Sequence, residues 1–194
     1  TSNEISYAID KKILLINAES RSEINEIERI AKSKRKNVNI GIRLNPNTNA
    51  KTLKQISTGK KENKFGVDEK TFFNLVNYCK LSKNINLKCL SVHIGSQILD
   101  YKPYEKMLNV VDKIIKKSNH NFEFIDLGGG MGISYEKNNK KLNYQKYNFA
   151  VNKLLKNHKS KIIFEPGRSI VGNIGSLISK VIYIKENDKK DFII

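Results

Sequence analysis

The sequence predicts an α/β fold built on a parallel sheet, and three observations carry that prediction. Short β-rich runs alternate strictly with amphipathic helical stretches. Several runs, such as ILLI and IIF, are apolar on both faces, which suits strands buried inside a parallel sheet. Three consecutive runs end in polar or glycine-rich segments, and parallel α/β folds gather their sites at that end of the sheet. Right-handed crossovers leave two main architectures, an open doubly wound sheet or a (β/α)8 barrel.

The elements follow in chain order. A first helix fits residues 3–10. Strand candidates are residues 13–17, 38–44, 87–94, 122–127 and 161–164. Between the first two, Ile24, Ile27, Ile30 and Ala31 share one helical face, which Ser20 or Ser22 is placed to cap. Phe72, Phe73, Val76 and Cys79 form the next stripe, with Asp68 as N-cap. Tyr104, Leu108, Val111, Ile114 and Ile115 form another, with Pro103 near its start. Tyr147, Ala150, Val151, Leu154 and Leu155 make the last. The alternation then breaks. Residues 177–185 read as one long strand and 192–194 as the start of a second, so the chain leaves the α/β part for a β-rich one.

A length of 194 residues suffices for most of one domain with a real core. The longest uncharged stretches, residues 89–99 and 169–179, are too short and polar to span a bilayer, so no membrane partner is expected. The opening Thr-Ser-Asn-Glu carries no signal-peptide pattern and no initiator Met, which suggests a piece of a longer protein. The net charge is +17. A basic chain can bind nucleic acid, but only Arg21, Arg29, Arg35, Arg43 and Arg168 are the planar bidentate kind. The lysines are spread among abundant Asn and Ile, as solvated positions would be, and the cluster over residues 137–146 reads as an exposed loop. No nucleic-acid partner is expected. Cys79 and Cys89 form neither a disulfide framework nor a C-x-x-C motif, and they read as buried hydrophobes in a reducing, cytoplasmic compartment. His93, His120 and His158 are too scattered for a zinc site, so no metal is expected.

The chemistry lies in three strand ends: Ser-Val-His-Ile-Gly-Ser-Gln at 91–97, Asp-Leu-Gly-Gly-Gly-Met-Gly at 126–132, and Phe-Glu-Pro-Gly-Arg-Ser at 164–169. A triple glycine lets backbone N–H groups close on an anion, though a tight turn explains it nearly as well. Neither a G-x-G-x-x-G fingerprint nor a P-loop is present. Glu-Pro-Gly-Arg adds an anion, a fixed turn and a guanidinium. Together the last two loops resemble a phosphate site made by the final strands of a barrel.

HIGSQ, DLGGGMGISY and EPGRSIVGNIG, preceded by RLNPNTNAKTLKQISTGKKENKFGV, resemble the diaminopimelate decarboxylase family, within the pyridoxal-phosphate decarboxylases that share an alanine-racemase-like barrel. The resemblance runs the length of the chain, and the ISTG…ENKFG segment with HIGSQ favours this family over its ornithine and arginine relatives. It departs slightly at Gly172-Asn173-Ile174, where the family more often has Ala-Asn-Ala.

The resemblance implies a partial (β/α)8 barrel, about strands four to eight, over residues 1–175, and the start of a C-terminal β-domain over 176–194. It implies pyridoxal 5′-phosphate as cofactor, an amino-acid substrate, and a homodimer of the full-length protein. His93 would stack on the pyridine ring, where the alternative is a satisfied histidine at a strand end. Ser96 and Gly130, with Gly128 and Gly129 shaping the turn, would bind the phosphate. Glu165 would pair with the ring nitrogen, where the alternative is a carboxylate paired to a lysine. Pro166 sets the turn; Gly167 and Arg168 would meet phosphate, and Arg168 a substrate carboxylate. Arg43 is equally a rim residue or half of a structural ion pair. Lys64 reads as a loop lysine. The Schiff-base lysine and a cysteine proton donor fall outside these residues in the family's pattern, so the 194 residues alone are expected to be inactive. The implied activity is decarboxylation of meso-2,6-diaminoheptanedioate to L-lysine. Related ornithine, arginine or carboxynorspermidine-type decarboxylases and a non-catalytic cofactor-binding protein are the competing readings. All of this requires His93 and Glu165 to stand at the same end of one sheet.

Overall fold

The computed structural model describes residues 1–50, 59, 64–135 and 141–194. The main sheet holds β1 (Ile16–Ala18), β2 (Val38–Arg43), β3 (Ile85–Ser91), β4 (Phe124–Asp126) and β5 (Lys161–Ile163). All four pairings are parallel, and the strands lie side by side in sequence order. That order decides between the two architectures. A doubly wound sheet reverses its order at a switch point. A sheet that never reverses, with right-handed crossovers throughout, keeps its helices on one side and curves into an arc of a barrel.

The helices are α1 (Ser2–Asp10), α2 (Arg21–Ser33), α3 (Glu69–Leu81), α4 (Lys102–Ser118), α5 (Tyr144–Leu155) and the short α6 (Arg168–Val171). Local chemistry starts each of the middle ones. Ser20 Oγ accepts from the Glu23 amide at 3.1 Å, Asp68 Oδ1 from Thr71 at 2.9 Å, and Asn143 Oδ1 from Lys146 at 2.9 Å. Pro103 stands in the first turn of α4. The α5 cap means that helix has already begun by residue 144, within the basic stretch expected to be loop.

Successive strand residues face opposite ways. Ala18, Ile40, Ile42, Leu90 and Ile125 join the core under the helices, with Ile24, Ile27, Phe72, Leu75, Met107 and Val111. The residues between them, Asn17, Gly41, Cys89, Ser91 and Asp126, face the concave side. That side is more polar than the apolar runs suggested. The strand expected over 13–17 begins only at Ile16, because β2 first meets β1 at Ile40. Ile13 and Leu14 are exposed, and the Leu14 carbonyl is held instead by the Asn39 side chain at 3.2 Å.

The C-terminal segment differs from expectation in length. Only β6 (Ile184–Lys185) and β7 (Phe192–Ile193) pair, antiparallel, as a second sheet. The Ile182 amide donates to Ile194 and the Ile194 amide to Tyr183, which extends the ladder slightly. Among the described residues nothing pairs with 177–181, and Leu177 is 96% exposed. A strand needs a partner for its backbone groups, so β propensity alone does not make one.

Candidate functional site

Beyond the strands the ladder continues by single bonds. The amides of Leu44, Val92 and Leu127 donate to the carbonyls of Ser91, Asp126 and Ile163 at 2.8, 2.8 and 3.0 Å. The tips of β2 to β5 therefore stay in register as they turn into loops. The Glu165 amide then donates to the Gly128 carbonyl at 2.9 Å, and Ile98 to Gly130 at 2.9 Å. The three segments singled out in the sequence thus converge at one end of one sheet.

Gly129 is the meeting point. Its amide donates to His93 Nδ1 at 3.2 Å. A Cβ there would fall 2.1 Å from the Glu165 carbonyl, so only glycine permits this approach. His93 and Glu165 accordingly flank the same residue, as the reading required. Gly130, at φ +88°, is pressed just as closely on the Gly95 carbonyl, beside Ser96. Gly128 lies against the His93 ring. Gly167 is open where a side chain would project, and Pro166 packs next to Gly129.

The charges around this cluster are arranged. His93 Nδ1 accepts a hydrogen bond, so that nitrogen carries no proton. Burial first, and the Arg43 guanidinium second, lower the His93 pKa below its ordinary value, opposed by Asp126 and Glu19. Glu165 is exposed, and its backbone is held at the strand tips by Gly128 and Gly129. Partial burial and then the Asp126 carboxylate raise its pKa, opposed by Arg43. Arg43 itself pairs with Glu19 at 2.5 Å and lies over the Phe65 ring, so the ion-pair alternative describes it. Lys64 sits over the same ring. Arg168 Nη1 donates to Gln97 Oε1 at 3.4 Å, and its guanidinium lies 5.8 Å from the Tyr135 ring centroid.

Several participants were not singled out from the sequence. Asp126 opens the DLGGG run, and its carboxylate accepts from Gly128, Asn17 and Ser91. Gln97 holds both backbone groups of Ile133, donating at 2.6 Å and accepting at 3.1 Å. Tyr104 donates to the Gly129 carbonyl at 3.1 Å and stacks on Tyr147 at 4.4 Å. The available signals were a buried-type carboxylate inside a strand run and a hydroxyl on an apolar helix face. The ISTG…ENKFG segment lies mostly outside the described residues. Among the described residues no cluster suits a metal ion, and no helix is long and apolar enough to cross a membrane.

A site of this kind has an acid, a neutral imidazole and a glycine-lined anion loop with a guanidinium beside it, all on a barrel rim. That is the equipment of a protein that holds an anionic aromatic cofactor. The chain belongs to the pyridoxal-dependent decarboxylases, whose pyridoxal-binding domain matches residues 1–172. It is 39% identical over 198 residues to a diaminopimelate decarboxylase of Aquifex aeolicus, covering 100% of this chain and 47% of that one. It is 41% identical over 194 residues to that of Helicobacter pylori strain J99, covering 98% and 48%. The crystal structure of the Helicobacter pylori diaminopimelate decarboxylase complexed with L-lysine superposes with a TM-score of 0.90 at 39% identity, covering 100% of this chain and 49% of that one. The chain spans about half the length of the curated relatives it matches.

Proposed function

We propose that the protein carrying this chain decarboxylates meso-2,6-diaminoheptanedioate to L-lysine with pyridoxal 5′-phosphate, and that these residues hold the cofactor. The observation that carries the reading is the convergence of His93, Glu165 and the glycine run on one barrel rim, in a chain similar throughout to diaminopimelate decarboxylases. The donor set fits the cofactor. Bare glycine backbone at Gly128, Gly129 and Gly130, the Ser96 hydroxyl, and Gly167 with Arg168 suit a phosphate. The flat neutral ring of His93 suits stacking, and the Glu165 carboxyl suits a ring nitrogen. Arg168 also suits a substrate carboxylate through its planar fork. When bound, pyridoxal phosphate supplies an electron sink for the pair left behind as CO2 departs. The protein's part is to orient the ring, keep its nitrogen protonated and grip its phosphate.

The same reading makes residues 1–175 the cofactor-binding barrel portion and 176–194 the start of a separate β-domain, consistent with two unconnected sheets. It makes the full-length protein a homodimer with the Schiff-base lysine and proton donor supplied from other residues. A cytoplasmic location agrees with two free, buried cysteines. The test is CO2 release by the full-length protein from meso-2,6-diaminoheptanedioate, ornithine and arginine in parallel. Preference for the first is expected. Preference for either other amino acid overturns the substrate, and no release from any of them supports a non-catalytic binder.

A further inference from the structure

Gln97 closes the HIGSQ segment, and its backbone sits at φ +60°, a left-handed conformation that residues with a side chain seldom adopt. Such a position persists only where its surroundings hold it. Here the side-chain amide supplies the hold. Its Nε2 donates to the Ile133 carbonyl at 2.6 Å, and its Oε1 accepts from the Ile133 amide at 3.1 Å. One side chain thus satisfies both backbone groups of one residue, and an amide carries the donor and the acceptor this requires. The pairing also settles which end of the amide is oxygen. The main chains keep the two segments in step, with Ile98 donating to Gly130 at 2.9 Å and Gly132 to Ile98 at 3.1 Å. Gly132 leaves the room, since a Cβ there would lie 3.0 Å from Gln97 Oε1.

The same oxygen reaches the third loop. Arg168 Nη1 donates to Gln97 Oε1 at 3.4 Å, and the guanidinium lies 5.8 Å from the Tyr135 ring centroid. Oε1 therefore accepts twice, which fills its two lone pairs. Among the described residues no carboxylate pairs with Arg168. Arg43 differs: Glu19 engages it at 2.5 Å. A carboxylate cancels the charge of a guanidinium, whereas an amide oxygen orients it and leaves the charge intact. A bond at Nη1 also leaves the Nε and Nη2 edge of the fork for a planar oxyanion.

We propose that Gln97 is the positioning residue for Arg168: it fixes the guanidinium against the Ile133 backbone without neutralising it, so that a ligand oxyanion meets a cation already in place. This rests on the reading that Arg168 meets such an anion. The shared chemistry fits a substrate carboxylate or a cofactor phosphate, and the two are measured separately below. The physical gain is pre-organisation. A loose arginine gives up rotamer freedom when its ligand arrives, and a held one has given it up already.

The test uses the full-length protein. KM and kcat for meso-2,6-diaminoheptanedioate report on the substrate carboxylate. Titration of the cofactor-free protein with pyridoxal phosphate reports on the phosphate and needs no turnover. Gln97→Met keeps the length of the side chain and removes its polar amide. It should raise KM or the cofactor Kd roughly tenfold, the size of one hydrogen bond to a charged group. Gln97→Glu sets an anion against Arg168 and should raise the same constant further. If KM is the constant that moves, kcat should change far less, because the contact exists before the reaction begins. Both effects should vanish in an Arg168→Ala background. The same factor in either background marks a purely structural role through Ile133 and overturns the proposal. Should Gln97→Met fail to fold, Gln97→Asn keeps the amide on a shorter stem and should give a smaller rise with the same dependence on Arg168. A constant that Arg168→Ala raises and the Gln97 variants leave alone overturns the positioning role. If Arg168→Ala moves neither constant, the reading of Arg168 as an anion ligand fails, and the proposal with it. A wild type that releases no CO2 defeats the substrate reading alone, and the pyridoxal phosphate titration then decides.

Discussion

At the scale of single residues, the site is a set of close approaches that only particular side chains allow. Gly129 touches the Glu165 carbonyl where any Cβ would intrude, and its amide settles which nitrogen of His93 lacks a proton. That fixed charge state has a consequence for pH. The folded pKa of His93 lies below its ordinary 6.5 because of burial first and Arg43 second. Below pH 6.5 the unfolded chain binds a proton that the folded one does not, so stability falls as pH drops through that window. Replacing His93 with Gln in the full-length protein should flatten the slope of unfolding free energy against pH below 6.5, measured by urea titration; an unchanged slope contradicts this. His120, also lowered by burial, remains in both proteins and keeps part of the slope. The residue types at 93, 96, 128–130 and 165–168 were legible as chemistry because each is unusual at a strand end. Asp126, Gln97 and Tyr104 were not, since their partners are backbone groups or side chains 25 to 109 positions away.

At the scale of elements, the helices were easier to foresee than the strand ends. A helix declares itself through local spacing and a cap. The Asp68 cap of α3 holds both the amide and the hydroxyl of Thr71, at 2.9 and 3.0 Å. Those bonds, the Thr71 amide first, lower its pKa below 3.8. Its contribution is therefore present above pH 3.8 and is lost as acid protonates the folded carboxylate. Asp68→Ala should cost about 1 kcal/mol of stability near neutral pH, read from thermal or urea unfolding, with the difference shrinking at low pH. Strands depend on distant partners instead. ILLI looked like a complete strand, but the neighbouring strand reaches only its last residue. Residues 177–185 have the right composition, but only their final part finds an antiparallel neighbour.

At the scale of the whole molecule, the sheet is an arc that, among the described residues, has two open parallel edges, one on β1 and one on β5. Beside β5, Tyr147, Val151, Leu155, Ile162 and Phe164 line an apolar groove of about 530 Å³. Unpaired edges and uncovered apolar surface favour association. The 194 residues expressed alone should therefore self-associate in sedimentation and release no CO2 from meso-2,6-diaminoheptanedioate. Measured turnover by this chain without any other would refute that expectation.

Read alone, the 194 letters determined the alternation of elements, the helix faces and caps, and the three polar or glycine-rich strand ends, because these depend on neighbours within a few positions. The tertiary structure decided that the strands never reverse their order, that Asn17, Ser91 and Gly128 meet on Asp126, and that the Glu165 backbone closes on Gly128 and Gly129. Those outcomes depend on the curvature and register of a sheet, which bring together groups that no local spacing relates.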